Sequence, residues 1–235
     1  MDNLLAELRK YDTPTVCNAI ELFDVRPRTA GYMDKSIVAG FPEMPPMVGF
    51  ASTATFRGSA PTEEPSYGSL EKQVEAFEEL PGAAIVVFED LDQPMVAATF
   101  GEIMCTTYQK FGAVGLITSG AGRDLDQVRA LDFPVFTNGT ICSHGYSRIP
   151  TVNQPVQVGG ITINPGDLLH GDCNGVTTIP LEIAEQVAAV CEHYIQAEAI
   201  ILNYLKNDKL SSKELGVAIS QCKTNLQEIA KNLKK

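Results

Sequence analysis

The 235-residue sequence is short of positive charge: 18 Lys and Arg stand against 29 Asp and Glu, a net charge of −11. That balance argues against nucleic-acid binding, because phosphate recognition draws on clustered Lys and Arg. The only clearly basic stretch, Lys231-Asn-Leu-Lys-Lys235, is expected to be a helix C-terminus, where cations complement the dipole. Long apolar runs are missing too. None reaches the roughly 18 residues that span a bilayer, and the first ten residues are amphipathic and charged, unlike a signal peptide. Histidine is scarce (His144, His170, His193) and forms no H-x-x-x-H pair. Cysteines at 17, 105, 142, 173, 191 and 222 include no C-x-x-C, which argues against structural zinc. A chain of this size needs no disulfide staples. Six reduced thiols in a cytoplasmic protein are therefore expected, with neither membrane nor nucleic acid as partner.

With 44% hydrophobic and 20% charged residues, the composition suits a packed core rather than disorder. Thr13-Pro14 followed by Val16, Ala19, Ile20 and Phe23 predicts an amphipathic helix with Thr13 as N-cap and Pro14 in the first turn. Strands are expected at Ala51–Arg57, Ala83–Phe88, Met95–Phe100, Ala113–Thr118, Pro134–Phe136, Val152–Val158, Ile161–Ile163 and Val176–Ile179. Helices are expected around Leu70–Phe77, from Gly101 to Gly112, from Asp124, from Pro180 to about Asn207, and after a Ser211 cap. Strands and helices alternate early and strands cluster later. The pattern favours α/β layers around a compact β core over an all-parallel sheet. There is no internal repeat and no linker.

Chemistry concentrates in two stretches. Gly101-Glu102-Ile103-Met104 is followed, after twenty residues (103 to 122), by Arg123-Asp124 on the turn Gly120-Ala-Gly122. A glycine-bearing turn opens each helix, so unpaired N–H groups at both starts can face an anion. Arg123 adds a planar donor fork suited to a carboxylate or enolate oxygen. Asp124 is a hard oxygen ligand appropriate to Mg²⁺ or Mn²⁺. Two readings stand side by side: a site for a small carboxylate with a divalent metal, or a plain helix cap at Asp124 with Arg123 paired to a surface carboxylate. The second stretch, Asn164-Pro-Gly-Asp167 and His170-Gly-Asp172-Cys-Asn-Gly175, reads as tight turns rather than ligands. Glu63-Glu64 and Glu78-Glu79 read as solvated faces. Cys105, on a first helical turn, invites a lowered pKa, but lacks a nearby His and is read as a bystander.

The order of Asp12-Thr-Pro-Thr-Val-Cys-Asn-Ala-Ile20, Gly101-Glu102, Gly112-Ala-Val-Gly-Leu-Ile117, Gly120-Ala-Gly-Arg-Asp124, Val158-Gly-Gly-Ile-Thr-Ile-Asn-Pro-Gly-Asp167 and Asp172-Cys-Asn-Gly-Val-Thr-Thr-Ile-Pro180 resembles the RraA-like family over roughly residues 10–200. That family includes the regulator of ribonuclease E activity and class II 4-hydroxy-4-methyl-2-oxoglutarate aldolases. The resemblance implies an α/β/β/α sandwich with a swivelling-domain-like β core and long C-terminal helices. It implies trimers or hexamers with sites between subunits. It also implies a divalent metal, Mg²⁺ or Mn²⁺, on the carboxylate and carbonyl of a 2-oxo acid. Asp124 is then the metal ligand and Arg123 stabilises the enolate oxygen. Gly101 and the N–H groups of Glu102, Ile103 and Met104 hold the substrate carboxylate, while the Glu102 side chain orients metal-bound water. Glu198, on the long helix, is the candidate contribution to a neighbouring subunit's site. Where the family pattern has Asp-Gly this chain has Ser119-Gly120, and where it has an acid this chain has Gln127.

The expected protein is a catalytic domain over residues 1–207 with a helical extension over 208–235. Its expected activity is metal-dependent carbon–carbon lysis of a small 2-oxo acid: retro-aldol release of pyruvate, decarboxylation of oxaloacetate, or both. The alternative is a non-catalytic regulator that masks a ribonuclease or another partner.

Overall fold

The structure, a computed structural model, describes residues 1–61 and 69–233. The Glu63-Glu64 face and the final two lysines lie outside the described residues. Three β–α–β units run through the first half. Strand β1 (Val38–Ala39) and β2 (Met47–Phe56) precede α3 (Leu70–Glu75) and β3 (Ala84–Asp90), with α1 (Asp2–Leu8) and α2 (Thr13–Phe23) ahead of them. From β3 the chain passes through β4 (Ala98–Phe100) and α4 (Glu102–Lys110) to β5 (Ala113–Thr118). From β5 it passes through β6 (Ala121–Gly122) and α5 (Leu125–Ala130) to β7 (Val135–Thr137). A helical crossover of this kind makes neighbouring strands parallel, and β2, β3, β5 and β7 are parallel. The later strands return as hairpins: β8 (Val156–Val158) with β9 (Ile161–Ile163), and β10 (Leu168–Asp172) with β11 (Gly175–Ile179). Helices α6 (Ala184–Tyr204) and α7 (Ser212–Leu233) finish the chain.

The main sheet has the order β1-β7-β5-β3-β2-β10-β11. Its two edges are nearly joined by one segment. Met33 N–H donates to Val176 O and Thr178 N–H to Gly31 O, and a few residues later Val38 pairs with Thr137. Period-two alternation assigns the layers. Ala54, Phe56, Val86, Phe88 and Leu116 face Cys105 and Tyr108 of α4 and Val128 of α5. Val48, Phe50 and Leu168 face α1, α2 and α6. The opposite side, with Met47, Ala51, Ile85, Val87 and Ile117, is closed by Val156, Val158 and Ile163 of the β8–β9 hairpin. This is the expected mixed α/β fold with a curled β core and long C-terminal helices. Among the described residues, no helix is long and apolar enough to cross a membrane.

Several local expectations need correction. The N-cap of α2 is Asp12, whose carboxylate accepts the Thr15 N–H at 2.7 Å; Thr13 is the first helical residue. The long helix begins at Ala184, not Pro180, and only the last three residues of the expected 152–158 strand pair as one. Ser211 does cap α7, accepting the Glu214 N–H at 3.2 Å. Cys105 is buried, and burial pushes its thiol up rather than down. His170 and Asp172 are strand residues of β10, while the turn itself is made by Cys173 and Asn174.

That placement gives His170 a structural task. It is fully buried; Nδ1 lies 3.0 Å from Thr13 Oγ1 and Nε2 3.2 Å from Leu8 O. A carbonyl only accepts, so Nε2 carries the proton and Nδ1 accepts the Thr13 hydroxyl. Asp172 Oδ2 accepts the Thr13 N–H at 2.9 Å beside it. The N-terminal helices are thereby fastened to the sheet. Burial lowers the His170 pKa, against the opposing pull of Asp172 and Asp12. A pKa lowered on folding gives stability that is complete above the unfolded value of about 6.5 and is lost as pH falls through the folded value. Thermal melts followed by circular dichroism should therefore show a falling Tm from pH 7 to pH 5. His170→Gln should flatten that fall, and an identical pH dependence in the variant would contradict the assignment.

Candidate active site

The first turn of α4 and the turn before α5 meet at the carboxyl ends of β3 and β5. Gly101 is the N-cap of α4 and has no capping side chain. The cap arrives from another element: Asp124 Oδ2 accepts the Glu102 N–H at 3.1 Å. Asp124 does not cap its own helix. It sits at the N-cap of α5 in the left-handed region, φ 56° and ψ 39°, with no side-chain bond to α5. Asp tolerates this conformation better than most residues, and here it turns the carboxylate back toward α4. Gly101 is required by close approach: a Cβ there would lie 2.5 Å from Asp124 Oδ2 and 3.1 Å from Arg123 Nε. Arg123 Nε stands 3.7 Å from the same carboxylate oxygen, with both side chains about one third exposed or less. The N–H groups of Ile103 and Met104 find no acceptor among the described residues.

These groups line one cavity of about 110 Å³. Gly101, Glu102, Ile103, Met104, Arg123 and Asp124, the residues singled out in the sequence, all border it. Ala98, Thr99, His144 and Ser147 complete the wall and were not foreseen. His144 and Ser147 come from the loop after β7, which main-chain hydrogen bonds pin at several places. Ile141 N–H donates to Gly122 O, Ala98 N–H to Ser143 O at 2.7 Å, and Tyr146 N–H to Gly58 O at 3.0 Å. The one sequence signal was Gly145, whose φ of 52° and 2.6 Å approach of a would-be Cβ to Gly58 O demand glycine. Larger open grooves, such as one of about 660 Å³ between α6 and α7, lack this convergence of guanidinium, carboxylate and free N–H groups.

The sequence profile described as RraA-like, Aldolase/RraA, matches residues 13–178. The chain belongs to the RraA-like family. A Halalkalibacterium halodurans protein named "Putative 4-hydroxy-4-methyl-2-oxoglutarate aldolase" is 37% identical over 112 residues, 47% of this chain and 52% of that protein. The match thus spans about half the length of that relative. An uncharacterized Pseudomonas syringae protein shares the fold, with a TM-score of 0.72 at 22% identity over 94% of both chains. So does RraAS2 of Streptomyces coelicolor, described as an unusual member of the RNase ES inhibitor RraA protein family. Its TM-score is 0.67 at 21% identity, over 84% of this chain and 94% of that one.

Within this family framework, the remaining residues fall away from the cavity. Gln127 and Asp126 are exposed on α5, where Asp126 pairs with Arg129 at 3.4 Å. Glu198, on α6, faces Tyr194 and Cys222 and does not border the cavity of its own chain. Among the described residues no three His, Cys, Asp or Glu side chains form a metal cluster. A single carboxylate, Asp124, with Glu102 at the rim fits a Mg²⁺ that keeps most of its waters and takes further oxygens from substrate.

Ser119 has a structural role: its Oγ accepts the Asp90 N–H at 2.9 Å. Asp90 ends β3 and is 7% exposed. Its Oδ1 accepts the Asp92 N–H at 3.0 Å, and its Oδ2 is buried with no partner among the described residues. Burial raises its pKa, and the charge of Asp92 adds to the rise. A carboxyl whose pKa rises on folding destabilises the folded state increasingly as pH climbs above the unfolded value of about 3.9. Asp90→Asn, which keeps the acceptor for Asp92, should therefore raise stability in urea at pH 8. The gain should shrink toward pH 4, and a loss at pH 8 would show that Asp90 is ionised and paired.

Proposed function

We propose that this chain is a divalent-metal-dependent carbon–carbon lyase acting on a small 2-oxo acid. The reaction is cleavage of a 4-hydroxy-2-oxo acid to pyruvate, decarboxylation of oxaloacetate, or both, since one enolate serves either. The observation that carries this reading is the Asp124 side chain. It leaves its own helix and caps α4 instead, gathering a carboxylate, a guanidinium and two free N–H groups into one cavity. The name of the Halalkalibacterium relative supports an aldolase-type lyase.

The chain's own groups divide the work. The Ile103 and Met104 N–H groups, at the positive end of α4, hold the substrate carboxylate. Arg123 faces the 2-oxo oxygen and meets negative charge as it develops there. Asp124 holds Mg²⁺, with Mn²⁺ as the alternative, and Glu102 at the rim orients water. When bound, the metal supplies Lewis-acid polarisation of the 2-oxo group. In this reading the protein assembles as a trimer or hexamer, with Glu198 reaching a neighbouring copy's cavity.

Pyruvate release from oxaloacetate is the direct test. EDTA should abolish it and Mg²⁺ restore it; undiminished turnover in verified metal-free protein would rule the mechanism out. Arg123→Lys replaces a planar fork by a point charge and should lower kcat by about 10²-fold or more. Asp124→Asn should recover in part at high Mg²⁺. Wild-type turnover in both variants would remove the site and leave a binding role of the RraA type. Light scattering should give the mass of at least three chains, and a monomer at micromolar concentration would contradict the assembly.

A further inference from the structure

The candidate active site is poor in positive charge. Arg123 is the only Lys or Arg among the residues that line the cavity, against the carboxylates of Glu102 and Asp124. Its Nε already stands 3.7 Å from Asp124 Oδ2, and in the lyase reading the guanidinium also serves the 2-oxo oxygen. The Ile103 and Met104 N–H groups are then occupied by the substrate's first carboxylate. Glu198, the group assigned in that reading to a neighbouring copy, would bring a further acid. No Lys or Arg of the cavity wall is left for the far end of the substrate.

The remaining wall is neutral. Ala98, Ile103 and Met104 are apolar, and Thr99 and Ser147 carry hydroxyls. Ile103 is exposed at the mouth. His144 Nδ1 lies 2.9 Å from Gly145 O. A carbonyl only accepts, so Nδ1 carries the proton of the neutral ring and Nε2 is left an acceptor. An acceptor suits a hydroxyl and offers nothing to a carboxylate. In a cavity of about 110 Å³, a second carboxylate would lose water, gain no charged donor and stand among like charges.

We infer that the cleavage substrates of this site are 4-hydroxy-2-oxo acids whose C4 substituent is a small uncharged group, such as methyl, in place of a second carboxylate. This rests on the lyase reading and narrows it. The C3–C4 bond breaks and its electron pair passes into the pyruvate enolate. The hydroxyl proton leaves as C4 becomes a carbonyl carbon, and C3 takes up a proton. With a methyl substituent the products are acetaldehyde and pyruvate. Oxaloacetate is a separate case, because its second carboxylate leaves as uncharged CO₂. The Halalkalibacterium relative is named for a dicarboxylate, so the inference sets this chain apart from that name.

Two pairs of compounds that differ only as methyl from carboxylate provide the test. With the Mg²⁺-loaded protein and pyruvate followed by proton NMR, kcat/KM for 4-hydroxy-2-oxopentanoate should exceed that for 4-hydroxy-2-oxoglutarate by at least about tenfold. Isothermal titration reads the same preference without turnover: 2-oxopentanoate should bind more tightly than 2-oxoglutarate. Ile103→Lys places a cation at the mouth and leaves the main-chain donors intact, so it should move the kcat/KM ratio toward the glutarate by at least about threefold. Equal or higher kcat/KM for 4-hydroxy-2-oxoglutarate would overturn the inference and leave the lyase reading standing. Pyruvate from neither compound, in folded protein that binds 2-oxo acids, would overturn the lyase reading and the inference with it.

Discussion

The hydrogen bond from the Glu102 N–H to Asp124 Oδ2 is the constraint on which the cavity depends. A helix start needs acceptors for its first N–H groups, and the usual solution is a side chain one residue upstream. Gly101 removes that option and clears the space for a carboxylate from α5. A charge-assisted bond of this kind contributes about 1.5–3 kcal/mol, against about 1–3 kcal/mol for a left-handed non-glycine residue. The two nearly cancel, so the arrangement does little for stability. What it achieves is orientation, with Arg123 drawn alongside the same oxygen.

The sheet supplies the platform. Parallel strands bind ligands outside their carboxyl ends, and the residues of the site leave from those ends. Asp90 is the last residue of β3, Ser119-Gly120 follow β5, and the Thr137 hydroxyl at the end of β7 donates to Gly120 O at 2.8 Å. Small side chains and glycines let the three strand ends crowd together. The β8–β9 hairpin and the edge-joining segment at 31–39 close the far side, where buried side chains fill the curled sheet.

Much of this was legible in the residues. The spacing of Glu102 and Arg123-Asp124, and the glycines between them, marked the two turns that meet. Periodicity placed the α/β alternation and the late hairpins. Three features were not legible, each for a physical reason. The direction of the Asp124 side chain depends on a left-handed backbone that sequence does not display. His144 and Ser147 reach the cavity through a loop held by main-chain bonds, which leave no side-chain signature. His170 and Asp172 resembled turn residues because their partner, Thr13, lies more than 150 positions away.

The free donors at the start of α4 belong to the main chain, and this has a consequence for how such proteins diverge. Any residue except proline presents the same N–H at positions 103 and 104. In the proposed reading, anion capture there is insulated from drift in the side chains that carry it. Ile103, 61% exposed at the rim, is free to change with the ligand while the anchor persists. Two relatives with few identical residues can thus keep a common grip and differ in what they hold. Comparisons scored on side-chain identity will undercount sites of this type, whereas a search for the backbone shape, an uncapped glycine met by a carboxylate from the next crossover, will find them.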